Sequence, residues 1–88
     1  MIPPGFVVLT REGCDLCEAM LHELAELERR SSIPPVVIVN VDSDADLVRQ
    51  FGLKVPVLLL DGSVICHYTL NSHELLRLMN RAPAILPR

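Results

Sequence analysis

Two short apolar, β-branched runs, Phe6-Val7-Val8-Leu9-Thr10 and Val36-Val37-Ile38-Val39-Asn40-Val41, stand on either side of a helix-length amphipathic stretch. That order constrains the fold more than any other feature. The first run is bounded by Pro4-Gly5 and by Arg11-Glu12-Gly13, which suits a strand buried on both faces. From Asp15 to Arg30 the period changes. Leu16, Met20, Leu24 and Leu27 step by four and three, while Glu23, Glu26, Glu28 and Arg29 take the other side of a helix. Ser31-Ser32-Ile33-Pro34-Pro35 ends it, and the second run follows as another buried strand. Strand, helix and strand in this order imply a parallel pair joined by a right-handed crossover.

The rest of the chain extends this unit. Ser43 is a cap candidate for a short helix over Asp44 to Phe51, with Asp44 and Asp46 in the first turn and Gly52 just beyond its end. Val57-Leu58-Leu59-Leu60 and Val64-Ile65-Cys66-His67-Tyr68 flank Asp61-Gly62-Ser63, a tight-turn sequence of the kind that closes antiparallel hairpins. Asn71 with Glu74 three residues later forms a capping-box pattern for a last helix carrying Leu75, Leu76, Leu78 and Met79. Pro83 and Pro87 leave an irregular tail. The expected architecture is α/β, a four-stranded mixed sheet flanked by helices in the order βαβαββα. There is no internal repeat, low-complexity stretch or linker.

Composition narrows the class. With 88 residues the chain has surface enough to bury one core, so a single domain over 1–88 is expected. Half the residues are apolar, but one Tyr and two Phe mean that the core must be built from Leu, Ile and Val. A formal charge of -3, with eight basic residues spread along the chain, provides no footprint for phosphate backbones, and no nucleic-acid partner is expected. The apolar runs are far shorter than the roughly 20 residues a bilayer span needs. Met1-Ile2-Pro3-Pro4-Gly5-Phe6 lacks the basic segment and the small-residue cleavage site of a secretory signal. The expectation is a monomeric cytoplasmic protein with no membrane partner. Three cysteines are too few for a disulfide scaffold, so their role is sought in chemistry.

Cys14 and Cys17 sit in Gly13-Cys14-Asp15-Leu16-Cys17, where the first strand hands over to the first helix. Cys14 falls at the helix N-cap and Cys17 one turn inside. Unpaired N–H groups and the positive end of the helix dipole stabilise a thiolate there, and such thiols have pKa values lowered from about 8.5 to about 3.5–7.5. A shift to about 6.5 raises the thiolate fraction at pH 7 from about 3% to about 75%. Cys14 is therefore the expected nucleophile, and Cys17, tilted inward, the thiol that resolves the mixed disulfide. Glu12, Asp15 and Glu18 push the other way, with Arg11 as the nearby cation.

The first strand, the Gly13–Cys17 motif and the later Gly52-Leu53-Lys54-Val55-Pro56-Val57-Leu58-Leu59-Leu60-Asp61-Gly62 together resemble a short glutaredoxin-like family, over nearly the whole chain. The resemblance implies a thioredoxin-like fold with the first and third strands central, and a thiol-disulfide oxidoreductase acting on protein or small-molecule disulfides. It further implies that Val55-Pro56 is the cis-proline loop facing the cysteines, its backbone offered to an extended peptide or to glutathione as in β-augmentation. Arg11 matches a basic position that contacts glutathione in relatives, which makes Arg11, Val55 and Pro56 the substrate-binding candidates beside the catalytic pair. No bound cofactor is expected, and glutathione stands as a candidate co-substrate. Better-known glutaredoxins carry Pro-Tyr between the cysteines and a Gly-Gly-Asp-like segment after the fourth strand. Here Asp15-Leu16 and Thr69-Leu70-Asn71-Ser72 take those places.

A second class stays open, a thioredoxin-fold binding module whose cysteines are structural or zinc-bound. Zinc needs four ligands, yet there is no second CxxC and no pair of histidines at ligand spacing, and only Cys66-His67 could complete a site. No metal is expected. Cys66 reads as a buried apolar residue, and His22, His67 and His73 as ordinary side chains. Attachment of a c-type haem would need His where Glu18 stands. The run of Glu23, Glu26 and Glu28 reads as a solvated helix face.

Overall fold

The computed structural model describes residues 2–31, 33–71 and 73–78. The strands are β1 (Phe6–Thr10), β2 (Val36–Asn40), β3 (Val57–Leu60) and β4 (Ser63–His67). Helix α1 spans Asp15–Ser31 and α2 spans Ala45–Phe51, with a 3-10 turn at Val41–Ser43. Residues 73–78 are helical and form α3. The sheet runs in the order β2-β1-β3-β4. β1 pairs with β2 in parallel and with β3 antiparallel, and β3 pairs antiparallel with β4. This is a mixed, thioredoxin-like sheet with β1 and β3 at its centre.

The alternation of side chains along a strand splits the core in two. Phe6, Val8 and Leu58 pack on one face with Met20 and Leu24 of α1, Ile33 and Leu75 of α3. Val7, Leu9, Val57 and Leu59 point the other way, onto Val41 and Leu47. With both faces covered, the central strands have no solvent side, so they read as unbroken apolar runs.

β2 corrects the sequence expectation. The run at Val36 forms a strand, but as the sheet edge, and Val37 and Ile38 are exposed. It ends at Asn40, and Val41 is buried in the 3-10 turn instead. The α2 cap is a second correction. Asp44, not Ser43, is the N-cap, its side chain accepting from the Asp46 N–H, while the Ser43 hydroxyl donates to the Asn40 carbonyl at 2.7 Å. The 3-10 turn draws Ser43 back toward β2 and hands the cap to the next residue.

The β3–β4 hairpin closes on Asp61-Gly62, with Leu60 opposite Ser63. Both turn residues have positive φ, 51° and 85°, the two-residue turn whose twist matches the strands and which favours Asp-Gly. β4 therefore begins at Ser63, one residue earlier than its apolar pattern suggests, and a register shift lies opposite Leu58/Leu59. At α3 the cap behaves as the sequence indicates, with Asn71 Oδ1 accepting from the Glu74 N–H at 2.9 Å. Met79, Pro83 and Pro87 lie outside the described residues.

Candidate functional site

The site lies at the end of the sheet where β1 stops. Thr10 leads into Arg11 and a turn at Glu12-Gly13. Gly13 has φ 72°, a left-handed conformation that glycine adopts without steric cost, and this reverses the chain into α1. The Cys14 carbonyl accepts the first helical bond, from the Glu18 N–H at 3.1 Å, which makes Cys14 the N-cap. Its Sγ accepts from the Cys17 N–H at 3.1 Å. One of the first-turn amide donors, that of Cys17, is thus aimed at the sulfur.

Cys14 and Cys17 are joined as a disulfide with Cα atoms 5.2 Å apart, inside the usual range for a disulfide. The environments of the two sulfurs differ. Cys17 is 2% exposed and enclosed by the core, whereas Cys14 is only partly buried. An external reactant reaches Cys14 first.

The Val55–Pro56 peptide bond is cis. Leu9 lies opposite Val57 across the β1–β3 pair, so Pro56, the residue before Val57, is at the sheet end that carries the cysteines. Among the described residues nothing accepts from the Val55 N–H or donates to its carbonyl. The loop is held by Tyr68, whose N–H donates to the Pro56 carbonyl at 2.8 Å and whose hydroxyl donates to the Leu53 carbonyl at 3.1 Å. Tyr68 has φ 69° and sits just past β4. The sequence does not single it out, since no residue pattern marks a tyrosine for a left-handed conformation.

Arg11 is engaged within the chain. Its Nε and Nη2 donate to the two carboxylate oxygens of Asp42 at 3.0 and 2.9 Å, and Nη1 donates to the Gly52 carbonyl at 3.1 Å. The forked geometry is the strong form of this pair. Hydrogen bonding to Arg11 holds the Asp42 carboxyl below its ordinary pKa, and the same bond raises that of the guanidinium. The clamp joins the cysteine loop to the end of β2 and to α2. Asp42 is a residue that sequence reasoning passed over, although a signal existed. Thr10 and Asn40 are in register across parallel strands, so the residues that follow them emerge side by side.

Of the remaining candidates, Cys66 is half-buried on β4 against the α1 face, and burial pushes its thiol pKa up. Among the described residues no group of three His, Cys, Asp or Glu is arranged to hold a metal ion. No helix among them is long and apolar enough to cross a membrane. In the segment after β4, both acceptors of Asn71 are taken by the α3 cap, and Ser72 lies outside the described residues.

The comparisons with known proteins agree with this geometry. An uncharacterized protein of Mycobacterium tuberculosis is 32% identical over 80 residues, covering 85% of this chain and 81% of that protein. A Mycobacterium bovis protein, also uncharacterized, matches to the same extent. The solution structure of protein Ne2328 from Nitrosomonas europaea superposes with a TM-score of 0.74 at 33% identity, covering 89% of this chain and 94% of that one. An X-ray structure of a protein from X. campestris superposes with a TM-score of 0.64 at 24% identity, over 90% and 100% of the two chains. The latter bears on the fold alone. A family profile, "Glutaredoxin-like domain (DUF836)", matches residues 6–80, which takes in every strand and both cysteines of the pair. The chain belongs to the glutaredoxin-like domain family.

Proposed function

We propose that this protein is a thiol-disulfide oxidoreductase that cycles Cys14 and Cys17 between dithiol and disulfide. The observation that carries the reading is the asymmetry of the pair, an accessible Cys14 sulfur that accepts an amide N–H at a helix start, and a Cys17 buried one turn below it.

In the reducing direction the Cys14 thiolate attacks one sulfur of a substrate disulfide. A Cys14–substrate mixed disulfide forms and the other substrate sulfur leaves as a thiolate that takes up a proton. Cys17 then gives up its proton and attacks Cys14 Sγ, which releases the second substrate thiol. The protein is left with its own disulfide, two electrons having passed to the substrate. The reverse sequence oxidises a substrate dithiol. The unpartnered Val55 backbone beside Pro56 suits an extended protein segment added as one more strand. Such cycling suits a reducing compartment, the cytoplasm. Glutathione is a poorer fit, because the Arg11 cation is taken by Asp42 and exposed Glu12, Asp15 and Glu18 surround the cysteines.

The test is trapping. Cys17→Ser and Cys14→Ser, each with Cys66→Ala, are exposed to disulfide-bearing cell extract, quenched with acid, and run on non-reducing gels with mass spectrometry. Cys17→Ser is expected to accumulate mixed disulfides, because Cys14 attacks and nothing resolves the adduct. Cys14→Ser is expected to form almost none. Equal trapping by both variants, or none by either, overturns the reading in favour of a binding module.

A further inference from the structure

We propose that the protein substrates of this site carry lysine or arginine beside the reacting cysteine, together with an apolar residue that lands on Leu53 and Tyr68. The inference rests on the redox reading above and names the substrate class that such an enzyme takes.

The argument starts from charge. Glu12, Asp15 and Glu18 are exposed and flank Cys14 on both sides in the chain. None of the three makes an ion pair or hydrogen bond through its side chain with a described residue. The other charges at this end largely cancel, because Asp42 is paired with Arg11 and Asp46 with Arg49. Lys54, in the loop before Pro56, is exposed and is the one cation among the described residues there that has no carboxylate partner. The field at the nucleophile is therefore net negative. Such a field draws in a cationic segment and repels an anionic one.

The apolar half of the surface is equally specific. Leu53 is 91% exposed. Tyr68, half exposed, is hydrogen-bonded through its hydroxyl to the Leu53 carbonyl. Leu16, between the two cysteines, is also exposed. Tyr68 and Leu53 border the Val55 backbone edge, so a chain laid along that edge brings its side chains to both. An apolar side chain from such a segment covers Leu53, while flanking basic groups meet the carboxylates.

The experiment uses the reduced full chain at pH 7.5. Three peptides share one apolar sequence and one cysteine, capped as a disulfide with 2-mercaptoethanol. They differ only in having Lys, Gln or Glu on either side of that cysteine. Exchange rates are each divided by the rate of the same peptide with free 2-mercaptoethanol, which removes the intrinsic reactivity of the peptide. At low salt the Lys peptide is expected to exceed the Glu peptide by about tenfold, with Gln between. The ratio should fall toward one in 0.5 M salt, and likewise in the Glu12→Gln, Asp15→Asn, Glu18→Gln triple variant. Leu53→Ser should slow all three peptides by a common factor. Equal normalised rates, or a preference for Glu, overturn the proposal. So does reaction with bis(2-hydroxyethyl) disulfide but with no peptide. Absence of reaction with every disulfide, the small one included, instead removes the redox reading and this inference with it.

Discussion

The Cys17 amide N–H points at the sulfur of Cys14, 3.1 Å away, so in the proposed cycle the resolving residue would also supply a donor to the attacking thiolate. Reduced protein treated with iodoacetamide at pH 7 is therefore expected to be labelled first at Cys14. Cys66, half-buried with its thiol pKa raised by burial, should react at least about tenfold more slowly. Peptide mapping over a time course reads the order. Faster labelling of Cys66 or Cys17 would sink the assignment.

The Arg11–Asp42 clamp makes part of the stability depend on pH. The folded-state pKa of Asp42 is depressed, so the unfolded chain takes up this proton more readily than the folded one. The contribution is therefore fully present above the ordinary carboxylate value of about 3.9, and is lost as pH falls through the lower folded value. Denaturant titrations of wild type and Asp42→Asn should show wild type more stable near neutrality, with the gap closing toward pH 2. A gap that stays constant over that range would rule the clamp out as a pH-dependent contact.

Leu58 and Leu53 are the same residue type in opposite surroundings. Leu58 is fully buried on a central strand and Leu53 is 91% exposed. Leu58→Ala is expected to cost about 3 kcal/mol, through lost transfer energy and the cavity left behind. Leu53→Ala should stay within about 0.5 kcal/mol. Chemical denaturation of the oxidised proteins measures both, and similar losses at the two positions would contradict the packing described.

Asn71 closes the start of α3, whose Leu75 is fully buried under the sheet. Asn71→Ala leaves the Glu74 N–H without its side-chain acceptor and is expected to cost about 1 kcal/mol. Asn71→Asp, which keeps an acceptor, should cost little. Equal losses in the two variants would show that the cap is not what Asn71 provides.

Much of this molecule is local, and local features are legible in sequence. β1 and β3 lie where the sequence places them, because strands covered on both faces read as near-continuous apolar runs, Thr10 closing β1 at its half-buried end. Asp61-Gly62 makes the hairpin turn because its backbone conformation suits those two residues and few others. The placement of Cys14 at a helix start follows from a glycine and a CxxC between a strand and a helix. What the sequence could not carry is what depends on neighbours brought together by the fold. The runs at Val7 and Val37 look alike, yet one is central and the other an edge, since that choice is made by where β3 pairs. Arg11 could have been a free cation at the site, and only the parallel register of β1 and β2 sets Asp42 beside it. Tyr68 anchors the Val55-Pro56 loop through two hydrogen bonds that span 12 and 15 residues of chain, and no short-range pattern records such bonds. Backbone preferences and burial act residue by residue and leave their mark on composition and spacing. Register, edges and long-range polar pairs exist only once the strands have met.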